Sequence, residues 1–169
     1  MNNSFIPSIF KEKLIIIFSW LKGSMFLFIS LSLFLSIYTF DINDSSFLTS
    51  SNASNSNALG VLGSYSASFF VYSYGAMSYF IVLFLLINSI AAFIKKDLKY
   101  FFIRLLMLLI SIIFIPQIFY FWEWNFIFNQ QIKTWGEISF ILYNFHKIEW
   151  LSYFISLAGI IIFLITQNI

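Results

Sequence analysis

Residues 71–121 read VYSYGAMSYFIVLFLLINSIAAFI, then KKDLK, then YFFIRLLMLLISIIFIPQIFYF. Two apolar runs, each long enough for a hydrocarbon layer that needs about 20 residues, flank a short basic turn. Such a pair reads as a membrane helical hairpin, because mid-bilayer offers no water and a spanning chain must satisfy its backbone internally. The first run carries only Gly75 and the polar pair Asn88-Ser89, and it stops at Lys95-Lys96-Asp97. The second holds Pro116 near its far end, where a missing N–H and a ring clash predict a kink. Trp122, Glu123 and Trp124 mark its exit, as interfacial aromatics do.

Upstream, an apolar tract begins at Leu14, but a span starting there would set Lys22 near mid-membrane at a cost of roughly 2.5–3.5 kcal/mol. A span over 20–40 lets Lys22 snorkel from the first turn and leaves 1–19 as a cytoplasmic and interfacial N-terminus. A cleaved signal peptide does not fit, since Tyr38-Thr39-Phe40-Asp41 offers no small-x-small site. Residues 41–65 are rich in Ser and Asn, contain no Lys or Arg, and read as a loop. Downstream, 125–147 is mixed. Ile138, Ile141, Leu142 and Phe145 at helical spacing predict a short helix on the membrane surface, although Phe140 and Tyr143 occupy the opposite face. A last run over 148–167 completes the set. The expected fold is all-α and integral to the membrane, with spans at about 20–40, 71–94, 100–121 and 148–167 inside one membrane domain, 20–167.

Composition agrees: the 169 residues are 60% hydrophobic and 9% charged, which no soluble domain of this size sustains. The absence of cysteine excludes disulfide and thiolate chemistry, and the single His146 excludes a haem held by two histidines. No cofactor is expected. Of the nine Lys and Arg, three (Lys11, Lys13, Lys22) precede or open the first span and four (Lys95, Lys96, Lys99, Arg104) lie between spans two and three. The positive-inside rule then puts both termini in the cytoplasm, with 41–65 and 125–147 outside.

The spans contain no carboxylate except Glu149 at the very start of the last, so the usual mark of a pump or transporter, an acid inside the membrane, is missing. Arg104 reads as a snorkelling residue, Asn88 and Gln117 as helix-packing groups, and His146 as a solvated interface histidine. None of the six glycines precedes a lysine, which excludes a phosphate loop. More telling is a run of small residues. Gly60, Ser64 and Ser68 recur at four-residue spacing, as do Gly63 and Ala67, with Gly75 two turns on. Such a face lets a neighbouring helix approach closely, whether from the same chain or from another subunit. A ring-forming anchor calls for the second.

At these residues the chain resembles the N-terminal four-helix membrane domain of the FtsK-type bacterial DNA translocases. That family follows its first helix with Asp-Pro-Ser-aromatic, then a Ser/Asn-rich loop, then Asn-x-x-Gly-x-x-Gly-Ala/Ser-x-x-Ala-Asp and Phe-Gly-x-x-Ala. Here stand Asp44-Ser45-Ser46-Phe47, then Asn57-Ala58-Leu59-Gly60-Val61-Leu62-Gly63-Ser64-Tyr65-Ser66-Ala67-Ser68, then Tyr74-Gly75-Ala76. Gly136-Glu137-Ile138 corresponds to the glycine motif before the family's fourth helix. Ser45 replaces the proline, Ser68 replaces the Asp, and Val82 stands where a proline is common.

The resemblance implies a non-catalytic anchor and oligomerisation domain in the bacterial inner membrane, acting in chromosome segregation at the division septum. The lipid bilayer, other copies of the chain, cell-division proteins and a motor on another chain are the implied partners, without direct nucleic-acid binding. The family's RecA-like motor and winged helix have no counterpart in these residues, which implies an anchor, a domain excerpt or a truncated or split gene product. The alternative reading is a small four-helix transporter or channel subunit conducting through an oligomeric pore. A membrane enzyme ranks third for want of catalytic groups.

Overall fold

The structure, a computed structural model, describes residues 8–50, 55–95, 98, 100–121, 127–128, 132–146 and 148–168. Its elements run α1 (Ser8–Tyr38), α2 (Gly60–Tyr74), a 3₁₀ turn (Gly75–Met77), α3 (Ser78–Phe93), α4 (Phe101–Phe114), α5 (Gln117–Phe121), β1 (Ile127–Phe128), β2 (Ile132–Lys133), α6 (Glu137–His146) and α7 (Glu149–Asn168). β1 and β2 form one antiparallel pair, Ile127 opposite Lys133. Four helical stretches are long and apolar enough to cross a bilayer: Phe10–Tyr38, Gly60–Phe93, Phe101–Tyr120 and Glu149–Thr166. The chain is a multi-pass membrane protein, and α6 is the short helix before the last span.

The helices extend past the charge-based spans in two places. α1 runs unbroken for 31 residues, about 46 Å at 1.5 Å per residue, so the stretch before the 20–40 span is helical and continuous with it. Nothing within 8–19 breaks a helix: there is no glycine or proline, and the apolar and lysine side chains favour it. The second helical stretch opens at Gly60, inside the segment read as loop, because Ser64 there bonds a carbonyl and a loop amide through its hydroxyl while the backbone stays helical.

α1 and α3 are antiparallel and held by small polar contacts. The Ser19 hydroxyl donates to Ala92 O, Ser89 Oγ donates to Gly23 O at 2.8 Å, and Ser30 Oγ donates to Val82 O at 3.0 Å. Each such bond contributes only about 0.6 kcal/mol in a membrane, so close packing carries the rest. A Cβ on Gly23 would lie 2.9 Å from the Phe93 ring. An unbent continuation of this register would carry Ser66 well past Tyr38. Instead Ser66 Oγ lies 3.3 Å from Ser36 Oγ, because the chain bends at Gly75 and lays α2 across the end of α1. The buried core joins Leu33 and Ile37 of α1, Val71 of α2, Ile81 and Phe84 of α3, and Leu108 and Ile112 of α4.

The second pair is α4–α5 against α7. Pro116 interrupts the third span as its ring geometry demands, and α7 repairs the break. Ile118 N–H donates to Ser156 Oγ at 2.9 Å, and that hydroxyl lies 3.2 Å from Ile115 O, to which it donates. Gly159 admits the approach, since a Cβ there would lie 2.8 Å from the Phe114 side chain. Outward-facing Phe28, Phe102, Leu157 and Leu164 are exposed, as lipid contact requires.

Ser156→Ala should therefore lower stability by about 1–2 kcal/mol, since it leaves the Ile118 N–H without a partner. Ser152→Ala, whose hydroxyl bonds within its own helix, should be near neutral. Thermal unfolding in detergent compares the two, and equal effects would contradict the repair.

Candidate functional site

The motif residues of the first loop and of α2 form one polar clasp. Asp44 is buried, and its carboxylate accepts the Ser56 N–H at 2.7 Å and the Asn57 N–H at 3.0 Å. Those two bonds aim the Asn57 side chain at the end of α1. Its Nδ2 donates to Ser36 O at 2.8 Å and lies 3.3 Å from Thr39 O, while Oδ1 accepts the Leu59 N–H at 3.1 Å. A helix end leaves carbonyls without partners, and Asn57 supplies the donor. Thr39 Oγ1 in turn accepts the Ala58 N–H at 3.0 Å.

Gly63 sits directly over this amide. A Cβ there would fall 1.9 Å from Asn57 Oδ1 and 2.7 Å from Leu59 Cβ, so the position excludes every side chain. Ser64 is buried and ties the other half of the loop: its Oγ accepts from Asn55 Nδ2 at 2.8 Å and donates to Ser45 O at 2.8 Å. Asn55 Oδ1 accepts the Ser45 N–H at 3.0 Å, and the Phe47 ring meets Tyr65 edge-on at 4.9 Å. Ala67 and Ser68 are buried one turn further, Ser68 Oγ donating to Tyr65 O in its own helix. Gly60 touches nothing with its missing Cβ and serves through its positive φ of 60°. The small-residue stripe therefore faces α1 and the loop of the same chain. Of the two partners the sequence allowed for this face, the folded chain supplies the first: the polar loop folds back and covers it.

Gly75 makes a second joint with the segment before α6. Its φ is +57°, and a Cβ would lie 2.2 Å from Thr134 O and 2.6 Å from Gly136 N. Reciprocally, a Cβ on Gly136 would lie 2.4 Å from Ser73 O. The Ala76 N–H donates to Thr134 O at 2.7 Å, and Tyr120 Oη donates to Gly136 O at 2.8 Å. Two backbones meet here with no side chain between them.

Gln117, fully buried, links α5 to α6. Its Nε2 lies 3.0 Å from Ser139 O and 3.1 Å from Ile113 O, and Oε1 lies 3.3 Å from His146 Nε2. His146 is thus half-buried and bonded, where the sequence suggested a solvated ring. With Nε2–H donating to Gln117, Nδ1 is left to accept the Ile148 N–H at 3.4 Å, which selects the neutral tautomer. Burial lowers its pKa. Asn88, by contrast, bonds Phe84 O within its own helix.

Of the basic residues, Arg104 does more than snorkel. Its Nε donates to Thr166 O at 2.8 Å in the last turn of α7, and its guanidinium lies 5.8 Å from the Phe84 ring centroid. A cation bonded to a helix C-terminus suits both the free carbonyl and the dipole. Lys95 is exposed, one residue past the α3 cap, with φ +60° and its N–H donating to Ala92 O at 2.9 Å. Lys96 and Lys99 lie outside the described residues, as do the aromatics at 122 and 124. Among the described residues no three His, Asp or Glu gather to hold a metal. The arrangement is mechanical: it fixes helix ends and a loop. Sequence reasoning missed Asn55, Ser36, Thr39 and Thr134 because each acts through one hydroxyl, amide or backbone carbonyl. Asp44 stood in the sequence as the first residue of the Asp-Ser-Ser-Phe motif, and its burial was not legible there.

Gly63→Ala and Asn57→Ala should each cost about 1–3 kcal/mol by clash or by lost donors. The double variant should cost less than their sum by more than about 1 kcal/mol, since removing the amide makes room for the methyl. Unfolding of all four proteins in detergent measures that coupling, and strict additivity would refute the contact. For His146, a lowered folded pKa means the unfolded chain takes up a proton first as pH falls below about 6.5. Stability should be full above that value and decline on acidification through the folded pKa, and His146→Gln should flatten the profile. No difference between the two pH profiles would count against a buried neutral ring.

No curated protein and no solved structure matches the chain significantly. Residues 17–167 match the family described as the 4TM region of DNA translocase FtsK/SpoIIIE. That match takes in the first membrane-crossing stretch from residue 17 on, the whole of the other three, the clasp and the Gly75–Gly136 joint, and so the chain belongs to the family of FtsK/SpoIIIE four-helix membrane regions.

Proposed function

We propose that the chain is a membrane anchor and oligomerisation domain for a DNA translocase working in chromosome segregation at the division septum of a bacterial inner membrane. The observation that carries this reading is the match of 17–167 to the membrane region of that translocase family. The match is to the membrane region and not to the motor, which supports a chain that neither hydrolyses nucleotide nor binds DNA itself. In this reading the basic end carrying Lys22 and Lys95 faces the cytoplasm, both termini lie inside, and the clasped loop lies outside. Self-association uses a surface other than the Gly63 stripe, which α1 and the loop already cover. A transporter is less well supported. Among the described residues nearly every buried polar side-chain atom is bonded, Thr134 Oγ1 being the exception, which leaves little for a polar path.

A fluorescent fusion should concentrate at the septum of dividing bacterial cells, and the Gly63→Leu variant should lose that signal together with folded protein. Uniform membrane fluorescence of a well-folded fusion would overturn the septal role. Because the chain has no cysteine, Ser50→Cys and Lys95→Cys can be labelled singly in intact cells. An impermeant maleimide should react at position 50 alone, and labelling at 95 would invert the topology.

A further inference from the structure

α1 continues past the end of α3, and the corner between them is a cleft of about 490 Å³. Ile15, Phe18 and Leu98 make an apolar ledge, and Lys22 and Lys95 border it from two different elements. The Ser19–Ala92 bond ties the two lysine-bearing backbones together at this level. Trp20 meets Phe93 edge-on at 5.9 Å beside it, an aromatic pair of the kind found at headgroup depth. Both lysines are exposed, and among the described residues neither has an ion-pair partner. Lys95 is explained in part by the helix C-terminus it follows. Lys22 is not: α1 runs through it unbroken, so no free helix end calls for its charge.

We propose that this corner binds one anionic phospholipid, its phosphate between the Lys22 and Lys95 ammonium groups and its glycerol and upper acyl carbons on the ledge. The combination of surfaces selects the ligand. A free anion gains nothing from Ile15, Phe18 and Leu98, and a neutral apolar partner leaves two ammonium groups without a counter-charge. An amphiphile with an anionic head meets both, and basic pockets between membrane helices bind such heads.

Native mass spectrometry of the detergent-purified chain tests this, with phosphatidylglycerol and phosphatidylcholine as probes. Lys22→Gln/Lys95→Gln should weaken phosphatidylglycerol binding about tenfold or more and leave phosphatidylcholine unchanged. Lys22→Arg/Lys95→Arg should retain binding, and Lys11→Gln/Lys13→Gln, which removes as much charge from α1 outside the cleft, should change it less than about twofold. An equal loss in that control would mean diffuse attraction and overturn the site, as would unchanged binding in the double Gln variant. Displacement of the lipid by inorganic phosphate at millimolar level would assign the pocket to a soluble anion and overturn the lipid.

Discussion

A helix end leaves its last carbonyls without backbone partners, and where that end is packed against the rest of the chain each must find a donor inside the protein. Three helix ends show the same solution with different chemistry. Asn57 supplies an amide to Ser36 O at the end of α1, Ser19 a hydroxyl to Ala92 O at the end of α3, and Arg104 a guanidinium to Thr166 O at the end of α7. In each case the donor comes from a different part of the chain. Satisfying a local backbone group therefore fixes tertiary structure: a loop to α1, α1 to α3, α4 to α7. The break at Pro116 follows the same logic, with Ser156 as the visiting group.

The small residues are the geometric counterpart. A donor can reach a carbonyl only where the approaching backbone is not held off by a side chain, and the glycines mark those places. Gly63 clears the Asn57 amide, Gly23 clears Phe93, and Gly75 and Gly136 clear each other. This explains why family resemblance is carried by Asn, Gly and Ser at fixed spacing rather than by the large apolar residues, which need only be lipid-soluble on one side. It also ties the first loop to the membrane helices as one body, since Asp44 holds Ser56 and Asn57, and Asn57 holds α1.

The number of membrane-crossing stretches was legible in hydropathy and charge, because apolar runs of about 20 residues have few other uses. Helix starts were less so. Residues 60–65, with two glycines and Ser64, looked like a loop, since composition does not say that a hydroxyl will turn to a carbonyl or to a loop amide while its backbone stays helical. Lys22 set the start of the span near Trp20 but said nothing of where the helix begins, since a long side chain on α1 leaves the backbone free to continue. The spacing of Gly63 and Ala67 revealed a packing face without revealing its partner, which depends on Asn57 folding back over it. Arg104 and His146 were placed at membrane edges by number alone. Their partners, Thr166 and Gln117, lie far away in sequence and no pattern linked them.

The clasp also bears on the order of assembly. Its bonds join residues close in sequence, Asp44 to Ser56 and Asn55 to Ser64, and they involve only α1, α2 and the loop between them. Contacts of short sequence separation close with little loss of chain entropy and form early. During synthesis the segment through Phe93 thus has every partner it needs for its first loop and for the α1–α3 seam before α4 leaves the ribosome. The later half cannot do the same alone, because Gly136 docks onto Ser73 and Tyr74, which are already in place. The first hairpin acts as the template on which the second is assembled, and the glycine joint is where that templating is read out.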